Sequence, residues 1–282
     1  MRKFSVAFSI VARVALFYAM SMTAHAKPPQ IHNRVCITTL NLCVEREALR
    51  KHFIGLVFQG KSDQWAQYGM GIVNKIDYRP VKFGYYSGNH EEIIMPEALA
   101  WVKLVESIGL SWTPLENDKK VLEEAVFLEV SDFEKIQKTV EKHESRGLNI
   151  LQRKRMRAQL VKIRDFSLKR NQCFYHSLRL YSSTSPPSSG KIFVSLVLVE
   201  PSEKMDYCIR TGLFEALGVG KYGDDLLKGT LYDARSDRKI SQYDQAVLWF
   251  LYNEKMKSGY KREEAMKVFD EIADMLPDDL KM

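Results

Sequence analysis

Four cysteines, Cys36, Cys43, Cys173 and Cys208, all lie downstream of a segment built for export, and that combination sets the conditions under which the chain folds. The first residues include Arg2 and Lys3, with Arg13 further on. An apolar run from Val14 to Met22 follows, then Thr23, Ala24, His25 and Ala26. A basic start, a short apolar middle and small residues before the cut predict a secretory signal peptide over 1–26. The apolar run is far below the roughly 20 residues that span a bilayer, so no anchor is expected after cleavage. No cysteine follows Ala26 directly, so a lipid would have no acceptor there. The expected location is therefore periplasmic or secreted. In an oxidising compartment an even cysteine number reads as two disulfides. Three pairings are open. The favoured one joins Cys36 to Cys43 across a short turn and Cys173 to Cys208 between a strand and a helix. A zinc site of four thiolates is the alternative, and the lack of any pair at two-residue spacing speaks against it.

Charge narrows the class of partner. Losing Arg2, Lys3 and Arg13 takes the formal charge from +7 to +4. That mild excess permits contact with anionic envelope polymers or lipid surfaces without demanding it. Nucleic acid is not an expected partner for an exported chain. One run is strongly basic: residues 153–170 hold eight Lys or Arg and one acid. It reads either as a solvated helix face or as an anionic-surface patch of Arg153, Lys154, Arg155, Arg157, Lys162 and Arg164.

Periodicity predicts one α+β domain over 49–276, preceded by a lead over 27–48 that a disulfide could staple. Phe53 to Gln59 reads as a buried strand. Glu91 to Gly109 reads as a helix burying Leu99, Trp101, Val102, Leu104, Val105 and Ile108. Ala125 to Val130 is a second strand, and Ser131 with Glu134 suggests a capping box for a helix with Phe133, Ile136 and Val140 inside. Cys173 to Tyr181 and Lys191 to Glu200 are rich in aromatic and β-branched residues and are expected to pair as a hairpin. Helices are expected from Glu203 to Leu217, from Ser241 with Asp244 as its box partner, and from Lys261 to Leu276. The sheet is expected to be mixed or antiparallel, packed by these helices.

The C-terminal third carries a recognisable order of residues. Cys208-Ile209 leads a helix ending in Glu215-Ala216-Leu217-Gly218, followed by a polar stretch from Lys221 to Asp233. A Ser241-x-Tyr243-Asp244 turn, Leu248 to Tyr252, Met256, Gly259 and Glu263-Glu264-Ala265 complete it. This order resembles the bacterial exported family catalogued as domain of unknown function 2927. The resemblance is strongest over 173–265 and looser from Leu49 to Val140. It implies an exported or lipid-anchored protein with no assigned activity.

The same helix is similar, in degenerate form, to the active-site helix of metzincin zinc proteases, H-E-x-x-H-A-x-G-x-x-H. There two His one turn apart bind zinc and the Glu polarises water. Alignment on Ala216 and Gly218 puts Thr211 and Glu215 at the helical ligand positions, Gly212 at the general base and Lys221 at the third ligand. Only Glu215 could ligate zinc. The resemblance thus implies a related fold without the metal site, a zincin-like pseudoenzyme, and no cofactor is expected. His32, His52, His90, His143 and His176 stand singly, without a second His at i+3 or i+4. Asp224, Asp225 and Asp233 could, with Glu215, form a polar site for a cation or a basic group, or serve as ordinary turn residues.

Three functions remain open. The first is non-catalytic binding or scaffolding of an envelope component. The second is a hydrolase related to metallopeptidases with an unrecognised site. The third is anionic-surface binding through 153–170.

Overall fold

The structure, a computed structural model, describes residues 33–58, 71–86, 89–115, 124–144, 149–170, 172–181, 186–220 and 241–277. The signal segment lies outside them, as do His32, Lys221, Asp224, Asp225 and Asp233. From Arg34 onward the described residues form one compact unit.

It opens with a hairpin. Strands β1 (Arg34–Ile37) and β2 (Leu42–Glu45) pair antiparallel with Cys36 opposite Cys43, and the two form a disulfide. Asn41, in the left-handed region at φ 49°, lets the chain reverse within a few residues. Val35, Ile37, Leu42 and Val44 are buried in the main core, and the Cys36 amide donates to the Pro277 carbonyl. This hairpin therefore belongs to the domain rather than to a lead outside it.

Helix α1 (Arg46–Phe58) follows at once. The Glu45 carboxylate accepts from the Glu47 and Ala48 amides, at 3.1 and 2.7 Å, and so caps its first turn. Leu49, His52, Phe53, Leu56 and Val57 are buried at helical spacing. The strand expected at Phe53 to Gln59 is thus the end of a helix as far as Phe58, and Gln59 lies outside the described residues. An uninterrupted apolar run fits a deeply buried helix as well as a buried strand, and the deciding period begins upstream at Leu49.

Five strands form the central sheet: β4 (Val81–Tyr86), β5 (Trp112–Pro114), β6 (Ala125–Val130), β7 (Tyr175–Leu180) and β9 (Val194–Val199). Their order is β5-β4-β6-β9-β7. The β5, β4, β6 and β9 neighbours are parallel, and β7 runs antiparallel to β9 with Tyr175 opposite Val199. The sheet is mixed, and the expected hairpin of the two Cys173–Glu200 strands is present. A short parallel pair, β3 (Lys75–Ile76) and β8 (Lys191–Ile192), stands apart from it. Every β9 residue is buried, as a strand covered on both faces requires. Val197 and Val199 face the main core, while Val194, Leu196 and Leu198 face a second cluster.

Helices cover both faces. On the main side lie α2 (Glu91–Ser107), α5 (Met205–Ala216), α6 (Gln242–Tyr252) and α7 (Arg262–Asp274), which share the main core. Leu99 of α2, expected inside, is 52% exposed, and Ile94 and Ala98 take the inner positions with Trp101, Val102 and Val105. On the other side α3 (Phe133–Glu144) and α4 (Ile150–Lys169) supply Ile136, Val140 and Leu160 to the second cluster. Asp132, not Ser131, caps α3, its Oδ1 accepting from the Lys135 amide at 2.8 Å. Gly218 stops α5 at φ 102°, where a Cβ would lie 2.1 Å from the Asn74 carbonyl oxygen. The second disulfide, Cys173–Cys208, ties the segment before β7 to α5. No helix among the described residues is long and apolar enough to cross a membrane.

Candidate functional site

Helix α5 carries Thr211, Gly212 and Glu215, and its geometry decides what they can do. It lies so close to β9 that a Cβ on Gly212 would sit 2.3 Å from Val197 Cγ1 and 3.3 Å from Tyr175 Cδ2. Glycine at position 212 is here a packing requirement. Thr211 Oγ1 donates to the Tyr207 carbonyl at 2.9 Å, the local bond a helical threonine makes with its own backbone. Glu215 is buried, and its Oε1 accepts from the Tyr175 hydroxyl at 2.7 Å.

The carbonyls at the end of α5 are equally engaged. A helix leaves its last carbonyls without intrahelical donors and its C-terminus partly negative. Arg179 Nη2 donates to the Glu215 carbonyl at 3.0 Å and also to that of Val219. Ser195 Oγ donates to the Ala216 carbonyl at 2.9 Å, and the Tyr252 hydroxyl donates to the Leu217 carbonyl at 2.8 Å. The same hydroxyl accepts from the Ile76 amide at 3.1 Å. On the other flank, Trp101 Nε1 donates to the Leu213 carbonyl at 2.9 Å, and Arg210 grips Glu97 with two bonds of 2.8 and 2.5 Å. These side chains hold α5 onto the sheet and onto α2.

Sequence reasoning missed a second buried polar cluster. His52 Nε2 lies 2.6 Å from Asp244 Oδ1, with side-chain exposures of 2% and 0%. Asp244 Oδ2 accepts from Ser241 Oγ at 2.7 Å, and the Tyr243 ring meets the imidazole edge-on at 5.9 Å. In a hydrolytic triad the imidazole stands between hydroxyl and carboxylate, so that it can take the hydroxyl proton. Here the carboxylate stands in the middle, and Ser241 has no such base. The signal was available: Asp244 and His52 each sit on the apolar face of their helix, and a buried charge needs a partner.

A third set lies near β3. Lys75 Nζ donates to the Met256 carbonyl, and burial lowers the lysine's pKa. Burial likewise pushes the phenols of Tyr78, Tyr181 and Tyr252 above their ordinary range. Among the described residues no group of three or more His, Cys, Asp or Glu is placed to hold a metal ion. His176 lies 3.3 Å from Glu144 at the surface.

The basic run forms the long helix α4. Asn149 and Gln152 build a reciprocal capping box, each side chain accepting from the other residue's amide at 2.9 Å. Two of the six patch residues do not face a partner from outside. Arg157 pairs with Glu141, and Arg164 clamps Glu200 with bonds of 2.6 to 3.0 Å while lying over the Phe133 ring. They anchor α4 to the domain because the neighbouring elements present acids that the sequence could not place beside them. Arg153, Lys154, Arg155 and Lys162 are exposed. Only Leu160 of α4 is buried. Six of the ten exposed large hydrophobic side chains among the described residues are on this helix: Ile150, Leu151, Val161, Ile163, Phe166 and Leu168.

No protein-family model matches the chain, nor does any curated protein or any solved structure.

Proposed function

We propose that this is an exported, non-catalytic protein that binds or scaffolds a component of the cell envelope, with α4 as its contact surface. The observation that carries this reading is the internal use of α5. Glu215, the one residue in the protease-like pattern with ligand chemistry, accepts the Tyr175 hydroxyl inside the core. Gly212 beside it is held to glycine by Val197. A helix whose side chains and carbonyls all brace the fold offers little to a substrate. The two disulfides and the basic-then-apolar start of the chain support export.

Elemental analysis of the purified mature protein, paired with a broad peptide-cleavage screen, tests the reading. Stoichiometric zinc, or cleavage abolished by Glu215→Gln, would replace it with a hydrolase. N-terminal sequencing that finds Lys27 first, with no free thiol under non-reducing conditions, is the result expected of an exported chain.

A further inference from the structure

Helix α4 presents two kinds of exposed side chain that one partner must satisfy together. Residues seven apart share a helix face. Arg155, Lys162 and Lys169 form such a row on the side away from Leu160. All three are exposed and make no ion pair among the described residues. Leu151 and Phe166 lie on the same outward side, 57% and 54% exposed. Large hydrophobic side chains gathered on one exposed element mark a contact site more often than scattered ones do.

Three occupants can be weighed by chemistry. A second copy of α4 is disfavoured, because the helix holds seven Lys or Arg against the single acid Asp165 and two such helices repel. A soluble anionic polymer would neutralise the row but leave the leucine and phenylalanine in water. An anionic phospholipid surface answers both demands. Its headgroups meet the cations, whose apolar stems lie along the interface, and its acyl boundary takes up the apolar side chains.

We propose that α4 is a docking helix for anionic phospholipid bilayers. Arg155, Lys162 and Lys169 lie against headgroups, and Leu151 and Phe166 insert between them. The proposal rests on the binding reading above and names its partner.

Cosedimentation of the mature protein with vesicles tests it. The vesicles are phosphatidylcholine with one quarter phosphatidylglycerol, against phosphatidylcholine alone and against polyphosphate as a soluble polyanion. Binding is expected to the mixed vesicles, with a steep loss on adding salt. Joint Arg155→Gln, Lys162→Gln and Lys169→Gln should weaken it on the order of a hundredfold, at about fivefold per charge. Joint Leu151→Ser and Phe166→Ser should weaken it at least about tenfold while leaving polyphosphate binding unchanged. Should a multiple variant fail to fold, Lys162→Gln and Phe166→Ser singly carry the test, each with a several-fold loss. Absence of vesicle binding, or vesicle binding indifferent to the apolar substitutions, overturns the proposal. So does equal capture by neutral vesicles. None of these results touches the non-catalytic reading, which falls only to bound zinc or peptide cleavage.

Discussion

Replacing Gly212 with alanine puts the account of α5 at risk most directly. The added methyl carbon would stand 2.3 Å from Val197 Cγ1, where ordinary contact begins at 3.4 Å. The helix or β9 would have to move by more than 1 Å to admit it. Neither can move freely. Val197 is fully buried in the central sheet, its branched side chain has few rotamers, and the Cys173–Cys208 disulfide fixes α5 one turn away. Overpacking of this kind costs about 1–3 kcal/mol, and the absence of any slack argues for the upper end. Alanine returns about 1 kcal/mol of helix propensity. A net loss of about 2 kcal/mol follows, a fall in Tm of about 4–8 °C for a domain of this size. Urea and thermal unfolding with disulfides intact would measure it. Val197→Ala should relieve part of the loss in the double variant, so that the two costs together fall short of their sum. A Gly212→Ala protein as stable as its parent, or a double variant with no relief, would refute the packing account. It would also reopen the question of why glycine stands there.

Other substitutions probe the remaining buried groups. Asp244→Ala removes the partner of His52 and the Ser241 box together, and should cost about 3 kcal/mol in urea unfolding with an unchanged slope. Tyr175→Phe leaves the Glu215 carboxylate short of a donor and should cost about 1–3 kcal/mol, seen as a lower unfolding midpoint. Loss of the Cys173–Cys208 bridge, with a sequence separation of 35, should cost about 4 kcal/mol, against about 2.5 kcal/mol for Cys36–Cys43 with a separation of 7. Paired Cys→Ser variants compared by denaturation would rank them. Tyr78, Tyr181 and Tyr252 keep their protons in the fold above pH 10 while the unfolded chain releases them. Their stabilisation is therefore full below about pH 10 and is lost above it, by up to about 1.4 kcal/mol per pH unit for each tyrosine. Lys75 acts with the opposite sign, adding stability as pH rises toward 10.5. Unfolding free energies across alkaline pH, with tyrosinate absorbance followed alongside, would show the decline.

Local signals in the sequence carried far, and non-local ones did not. The Ser241–Asp244 box, the Gly218 stop and the paired strands β7 and β9 were legible because each is written within a few neighbouring residues. Both disulfides were legible because strands and turns around the cysteines left one pairing more natural than the others. The cap of α3 lies one position beyond the expected Ser131, since Ser131 and Asp132 are both good caps and only the hydrogen bond separates them. The sequence around Phe53 reads as a strand because deep burial erases the polar positions that reveal a helix. His52 and Asp244 stand 192 residues apart, and no local pattern joins them. Glu141 and Glu200 lie 16 and 36 residues from Arg157 and Arg164, shorter separations that still leave no local pattern to join the pairs.

The contrast between α4 and α5 follows from where each helix sends its polar groups. On α5 a carboxylate and the terminal carbonyls turn inward and find donors from the sheet or from α6, while the threonine bonds to its own helix backbone. Water gains nothing by entering there, and a substrate would have to break those bonds before making its own. On α4 two arginines fasten the helix, and Arg155, Lys162 and Lys169 stay in solvent beside apolar side chains that the fold leaves exposed. Burial of a leucine or phenylalanine against a partner releases free energy that the isolated domain does not collect. Among the described residues the chemistry left unused by folding is therefore concentrated on α4, and that surface, rather than α5, is where we propose the binding role.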